Sequence, residues 1–240
     1  MKKEAVERGW EPYLEELRAR IQQAMGALVV SVVSIEGGMN NLLYKVMLED
    51  GRRCVAKRYC QDDRSRLRRE YDVLSVLHEK GFAGVPVPLA RFDDLHTGIY
   101  SFAEGRQVDA CDFSTRELDA TVDYFTRLQS ILLRDVTTEL LRAQSSAFSL
   151  NEVTDLILER VKPFKEGREE MAPGIEEFIK ESKALSIVED LLTQSKKQFS
   201  ARFYQEVANE DKRLSSVDSG PHNMLWDDEG NLTVLDFEYA

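Results

Sequence analysis

Long apolar runs are missing from this sequence. The longest one, near residues 28–35, is far shorter than the ~20 residues that a bilayer-spanning helix requires. The N-terminus, Met-Lys-Lys-Glu-Ala-Val-Glu-Arg, also lacks the apolar stretch and small-residue cleavage site of a secretory signal. The sequence therefore predicts a cytoplasmic protein that has no membrane partner.

Cysteine is scarce and positive charge is in deficit. Cys54, Cys60 and Cys111 are odd in number and lack a metal-ligand spacing, which disfavours a disulfide framework or a zinc site. Lys and Arg total 32 against 43 Asp and Glu, and the formal charge of -11 argues against a nucleic-acid partner, because phosphate contacts need a basic surface. The acidity is compatible with a cationic substrate or simply with solubility, and both interpretations stay open.

The first 104 residues carry the pattern of an antiparallel sheet with helices. An N-terminal helix is predicted from an apolar face at Trp10, Leu14, Leu17, Ile21 and Met25. A second helix is predicted between Asp62 and Lys80, where apolar residues recur with a period of 3.6. Five strands are predicted from β-branched and apolar runs at residues 28–35, 42–48, 53–59, 86–93 and 98–103.

From residue 105 onward the composition favours helices. Ser114 with Glu117 forms a capping box and predicts a helix start at that point. The last 28 residues return to short strands around a hairpin turn at residues 228–231. We therefore expect an α+β protein with two lobes, an N-lobe over residues 1–104 and a helical C-lobe over residues 105–240.

Three oxygen-bearing side chains near the C-terminus form the most informative motif. Asp218, Asn223 and Asp236 are separated by five and thirteen residues, and the predicted hairpin between the last two can bring them together. A carboxylate and an amide oxygen are hard ligands suited to Mg²⁺ on nucleotide phosphates. A second carboxylate can orient and deprotonate an attacking hydroxyl.

A lysine and a glutamate in the first lobe provide independent support. Lys57 lies in the middle of a predicted strand, and Glu70 projects into the apolar face of the following predicted helix. A carboxylate on a buried face needs a partner, and Lys57 is the natural one. A lysine that reaches solvent and a glutamate at the edge of the face remain the alternative interpretation.

These residues, in this order, resemble the aminoglycoside phosphotransferase and choline kinase family, which has a protein-kinase-like fold. The resemblance runs from about Val32 to the end of the chain, with Asp-Phe-Glu at residues 236–238 in place of the kinase Asp-Phe-Gly. It implies Asp218 as the catalytic residue, and Asn223 with Asp236 as ligands of Mg²⁺. It also implies a C-lobe that is incomplete at its C-terminus, because relatives continue into further helices beyond the catalytic loop at residues 216–238.

The resemblance also implies a nucleotide site, with ATP expected and GTP not excluded. The residues that it assigns to this site are Lys57, Glu70, Gly37, Gly38, Asn40, Asn41, Phe102 and Ala103. The Gly-Gly loop lacks the Walker pattern and is equally typical of an ordinary turn.

The implied function is transfer of the γ-phosphate of a nucleoside triphosphate to a hydroxyl of a small molecule, such as an aminoglycoside, a choline-like amine or a sugar. The alternatives are a non-catalytic nucleotide-binding module of the same fold and a helical scaffold without a nucleotide site. The sequence determines neither the acceptor nor the oligomeric state.

Overall fold

The computed structural model describes residues 11–35, 41–143, 146–166, 183–215 and 220–238. The chain forms two compact units. The first consists of Met1–Ile131, Asp135–Gln144 and Arg213–Ala240, and the second of Leu132–Arg134 and Ser145–Lys212. Neither unit ends at residue 104, so the expected lobe boundary at that position stays a prediction.

The first unit is built on a five-stranded antiparallel sheet. Its strands follow the spatial order β1-β2-β3-β5-β4. The strands are β1 (Val29–Ile35), β2 (Leu42–Leu48), β3 (Arg53–Arg58), β4 (Pro88–Phe92) and β5 (Thr97–Ser101). All five predicted strands are present, and β3 lies in the middle of the sheet, where neighbours on both sides fix its register.

Helix α1 (Glu11–Met25) covers one face of this sheet. Leu17 and Ile21, one turn apart on the predicted apolar face, are fully buried and belong to one apolar cluster with Val46, Leu48 and Ile99 of the sheet. The apolar face of the helix and the inward-facing residues of the strands thus form one core. Trp10, the first residue of the predicted face, lies outside the described residues.

A second core joins helix α2 (Arg66–Glu79) to helix α3 (Thr115–Gln129) and a C-terminal hairpin of β6 (Met224–Trp226) and β7 (Leu232–Val234). Buried members include Leu74 and Leu77 of α2, Tyr124 of α3 and Trp226 of the hairpin. Phe237, which is 1% exposed, belongs to the same cluster. The segment after the hairpin, residues 236–238, is therefore anchored by the side chain of Phe237.

Local sequence signals set the bounds of α3 and of the hairpin. The backbone N–H of Ser114 donates to the Glu117 carboxylate at 2.9 Å, which is half of the predicted capping box. In the hairpin, the N–H of Gly230 donates to the carbonyl of Asp227 at 3.0 Å, and Gly230 has a φ of 82° that favours glycine. Both elements begin or turn where the sequence predicts.

The second unit contains helices α4 (Leu150–Glu166) and α5 (Ala184–Gln198). Helix α4 continues three residues past Pro163, a residue type that usually ends or bends a helix. None of the helices in the described segments is long and apolar enough to cross a membrane.

One buried hydroxyl of the first unit yields a test of the packing. Tyr124 is fully buried, and its hydroxyl finds no hydrogen-bond partner among the described residues. Burial raises the pKa of this tyrosine. Because an unpaired buried hydroxyl keeps its desolvation penalty, Tyr124→Phe should raise the free energy of unfolding by about 1 kcal/mol, measured by urea denaturation.

The matched control is Tyr59→Phe. The hydroxyl of Tyr59 is also buried but donates to Glu70 at 2.7 Å, so its removal should lower the free energy of unfolding. A loss of stability in Tyr124→Phe as large as that in Tyr59→Phe would show that the Tyr124 hydroxyl is paired.

Candidate functional site

Lys57 on β3 is surrounded by carboxylates. Its Nζ lies 2.7 Å from Glu70 Oε2, 2.9 Å from Asp236 Oδ1 and 3.7 Å from Glu238 Oε2. The side chain is only 10% exposed, so these contacts are little screened by water. The expected pairing of Lys57 with Glu70 is present, and the Asp-Phe-Glu segment joins it from the far end of the sequence.

Two tyrosines hold Glu70 in place. Tyr59, two residues after Lys57 and directly past the end of β3, donates its hydroxyl to Glu70 Oε2 at 2.7 Å and shares a second hydrogen bond of 2.7 Å with the hydroxyl of Tyr100. A Cβ atom at Gly98 would lie 2.4 Å from the Tyr100 hydroxyl, so only glycine leaves room for that side chain. Tyr100 belongs to no sequence motif, although the period of two on β5 places it on the same face as Gly98.

Glu238 ties the same segment to two other elements. Its Oε1 accepts a hydrogen bond from Nη1 of Arg66, the first residue of α2, and its Oε2 accepts one of 2.6 Å from Nδ2 of Asn41, just before β2. Sequence reasoning missed Arg66. A usable signal was its position four residues before Glu70, which places both side chains on one face of the helix.

Asp236 is the most accessible carboxylate of this cluster. Its side chain is 25% exposed, whereas those of Glu70 and Glu238 are 5% and 2% exposed. Its φ of 63° lies in the left-handed region, which a non-glycine residue adopts only at an energetic cost. Residues in this conformation cluster at functional sites. The Leu235 N–H donates to the Asn223 carbonyl at 2.7 Å, so the hairpin brings the backbone of Asn223 next to this segment.

The charges of the cluster oppose the effects of burial. Burial alone would lower the pKa of Lys57, but the negative charges of Glu70, Asp236 and Glu238 outweigh it, and the pKa is raised. The pKa of Glu70 is raised by burial despite the opposing charge of Lys57. The three carboxylates therefore favour the charged form of Lys57.

The other residues that the sequence assigns to the site include Phe102, Ala103 and four residues outside the described ranges. Phe102 and Ala103 follow β5 directly, and the Phe102 ring lies under Lys45 Nζ, with 4.6 Å between that nitrogen and the ring centre. Their expected contact with a nucleotide base stays a prediction. Gly37, Gly38, Asn40 and Asp218 lie outside the described residues.

A cavity of about 490 Å³ opens beside Tyr59 and Arg66. It is lined by the segment that follows β3, by the start of α2 and by Asp93 and His96. Since its lining does not include Lys57, we assign the candidate site to the carboxylate cluster and not to this cavity.

The donor set of the cluster fits a hard divalent cation. Carboxylate oxygens of Glu70, Asp236 and Glu238 all lie within 4.8 Å of one another, and oxygen ligands of this kind suit Mg²⁺. The oxygens of Glu70 and Glu238 already accept hydrogen bonds from protein groups. Asp236, a quarter exposed and close to Asn223, is the member best able to exchange a protein contact for a metal ion.

A buried lysine paired with a helix glutamate and with the aspartate of an Asp-Phe-Glu segment is an arrangement typical of the kinase-like class of folds. Residues 31–240 match the model of the phosphotransferase enzyme family called APH. The chain belongs to this family, as the resemblance in the sequence predicts. A search of curated proteins gives no match.

Solved structures share the fold at low sequence identity. The ADP-bound aminoglycoside phosphotransferase APH(2'')-Ib matches with a TM-score of 0.60 and 14% identity, over 95% of this chain and 70% of that protein. The macrolide 2'-phosphotransferase MphH from Brachybacterium faecium gives 0.59 and 15%, over 94% and 72%. A choline kinase from Cryptosporidium parvum gives 0.54 and 16%, over 87% and 58%. The predicted kinase-like α+β fold is confirmed, and this chain spans 58% of that choline kinase.

The carboxylate cluster predicts how the free energy of unfolding depends on pH once the ammonium group of Lys57 is removed. Lys57→Met should lower the free energy of unfolding by about 3 kcal/mol near neutral pH, because it leaves Glu70 and Asp236 without their shared partner. The pKa of Glu70, which burial already raises, then loses the opposing influence of Lys57 and rises further above its value in the unfolded chain. The stability deficit should therefore shrink as pH falls from about 7.5 to about 5.5.

Urea denaturation of wild type and variant at both pH values checks this prediction. The pKa of Glu70 is already raised in the wild type, so the deficit at each pH is taken against wild type measured at the same pH. Lys45→Met on the neighbouring strand, where the lysine contacts an aromatic ring, serves as the control and should show no such dependence. A deficit of Lys57→Met that is constant with pH would contradict the assigned ion pairs.

Proposed function

We propose that this protein transfers the γ-phosphoryl group of a nucleoside triphosphate, ATP in the first instance, to a hydroxyl of a small molecule in the cytoplasm. The single observation that carries the proposal is the position of Lys57 between the buried Glu70 and the more exposed Asp236. A structural ion pair would not require a third, accessible carboxylate on a strained backbone. A nucleotide site with an attached metal does require it.

Lys57 would bind the nucleotide phosphates. Its Nζ is a compact charge whose raised pKa keeps it protonated, and neutralisation of phosphate charge in a water-poor site stabilises the transition state. Glu70, fixed by Tyr59, would hold the amine in position while Asp236 turns to its own ligand. Preorganised charge of this kind costs no rearrangement during the reaction.

Asn223 and Asp236 would hold Mg²⁺. Held by these two side chains, Mg²⁺ would supply positive charge that offsets the charge of the nucleotide phosphates. The backbone hydrogen bond between Leu235 and Asn223 supports the assignment, since it keeps the two ligand-bearing segments side by side. The left-handed backbone of Asp236 aims its carboxylate at Lys57, which supports its position at the phosphates.

Asp218, five residues before Asn223, would orient the acceptor hydroxyl and take its proton. The spacing of these two residues in the sequence supports this role. Gly37, Gly38, Asn40 and Asn41 would border the phosphates, and the backbone of Phe102 and Ala103 would contact the base. The hydrogen bond from Asn41 to Glu238 of the Asp-Phe-Glu segment supports this placement.

The acceptor class is proposed from chemistry and from similarity. The similar structures are of proteins named for aminoglycosides, macrolides and choline, and aminoglycosides and choline each combine a hydroxyl with a cationic nitrogen. The net charge of -11 attracts cationic molecules over long range. Cationic alcohols of this kind are therefore the first acceptors to test, followed by neutral sugars.

Substitution of Asp218 separates catalysis from binding. With an acceptor that supports ATP consumption, Asp218→Asn should lower kcat by about 10³-fold, since the amide cannot take a proton, while nucleotide affinity changes little. Steady-state kinetics and calorimetry with Mg-ADP measure the two quantities. Asp228→Asn, on the exposed hairpin turn, should leave both unchanged.

Two results would contradict the proposal. Unchanged turnover of Asp218→Asn would remove that residue from catalysis. Mg-nucleotide binding without phosphorylation of any acceptor would favour the alternative of a non-catalytic nucleotide-binding module.

A further inference from the structure

Among the described residues, two basic side chains reach the carboxylate cluster, and the proposed reaction uses only Lys57. The other is Arg66, whose side chain is 4% exposed. Its Nη1 donates to Glu238 and its Nε donates to Asp62 Oδ2 at 3.0 Å. A buried guanidinium is costly unless carboxylates pair it, so this contact is a specific part of the site.

Glu238 is held on both of its oxygens. Arg66 occupies Oε1, and Asn41 occupies Oε2 at 2.6 Å, with Lys57 3.7 Å away. The carboxylate is 2% exposed and is thus enclosed by groups from the start of β2, from β3 and from α2. It acts as an anchor for the segment and not as an open ligand.

The anchor lies two residues from Asp236. Phe237, between them, is buried in the core shared by α2, α3 and the hairpin. With Phe237 and Glu238 both fixed, the backbone of Asp236 is held in its left-handed conformation, 2.9 Å from Lys57. Without the anchor at Glu238, that backbone could relax to an ordinary conformation and turn the carboxylate away.

We propose that Arg66 is a positioning residue which, through Glu238, holds Asp236 in the orientation that binds the metal ion. The inference rests on the proposed function for the metal itself. It adds a residue at the start of α2 that acts on Asp236 without touching nucleotide or metal. Because α2 also carries Glu70, the same helix would position Glu70 directly and Asp236 through Arg66 and Glu238.

The test compares Arg66→Gln with Arg68→Gln. Arg68 lies in the same first turn of α2, but its side chain is 50% exposed and pairs with Asp72 on the surface. Calorimetry of ADP binding over a series of Mg²⁺ concentrations should show that Arg66→Gln lowers the Mg²⁺-dependent affinity by about 10-fold, as loss of a group that orients a metal ligand does. Arg68→Gln should behave as wild type.

A double-mutant cycle identifies the route of the effect. Glu238→Gln should reduce the Mg²⁺-dependent affinity to a similar degree, and the double variant Arg66→Gln/Glu238→Gln should lose no more than either single variant. Losses that multiply in the double variant would overturn the inference, because they would show that Arg66 acts independently of Glu238.

A measurement without nucleotide separates this inference from the proposed function. The Leu235 amide donates to Asn223 at 2.7 Å, and its hydrogen exchange should be faster in Arg66→Gln than in wild type or Arg68→Gln, while amides in the middle of α2 keep their protection. If wild type binds no nucleotide but exchange accelerates as expected, the proposed function fails and the positioning contact stands. The inference would be overturned if Leu235 exchange in Arg66→Gln equals that of wild type. It would also be overturned if this exchange is faster but ADP affinity keeps the Mg²⁺ dependence of wild type.

Discussion

The Lys57 ammonium group is the charge on which the candidate site depends. Three carboxylates from α2 and from the Asp-Phe-Glu segment lie within 3.7 Å of its Nζ, and without it they would repel one another in a site that water barely reaches. The position of Lys57 on β3, in the middle of the sheet, fixes that charge in space. The sheet thus holds the charge, and α2 and the C-terminal segment gather around it.

Apolar packing and ion pairing hold the C-terminal segment by different means. Phe237 inserts into the core that α2 shares with α3, while the carboxylates on either side of it point towards Lys57. Packing of the Phe237 ring fixes how deeply the segment lies in the core. The hydrogen bonds of the carboxylates fix the direction in which their side chains point. The combination explains how Asp236 keeps an unfavourable backbone conformation, since its neighbours over-determine its position.

The sequence predicts those parts of the site that follow from local periodicity. Alternation on β3 and the helical period of α2 are enough to face Lys57 with Glu70, which are 13 residues apart. The pairing of Arg66 with Glu238 spans 172 residues and has no local signature. It depends on how the C-terminal segment packs on α2, and long-range packing of this kind is not encoded in any short pattern. The strands and the hairpin were predictable for the same local reasons.

The balance of charge in the cluster supports the proposal that a nucleotide binds here together with a metal ion. Two cations, Lys57 and Arg66, face the three carboxylates of Glu70, Asp236 and Glu238, and Arg66 also pairs with Asp62, so negative charge exceeds positive charge in the cluster. A polyphosphate that approaches Lys57 adds further negative charge, and Lys57 cannot compensate the phosphates and all its present partners at once. Of those partners, Glu70 and Glu238 are held by other donors and stay in place. Asp236 alone of the three is exposed enough to accept a divalent cation, and its transfer from Lys57 to that cation would free the lysine for the phosphates.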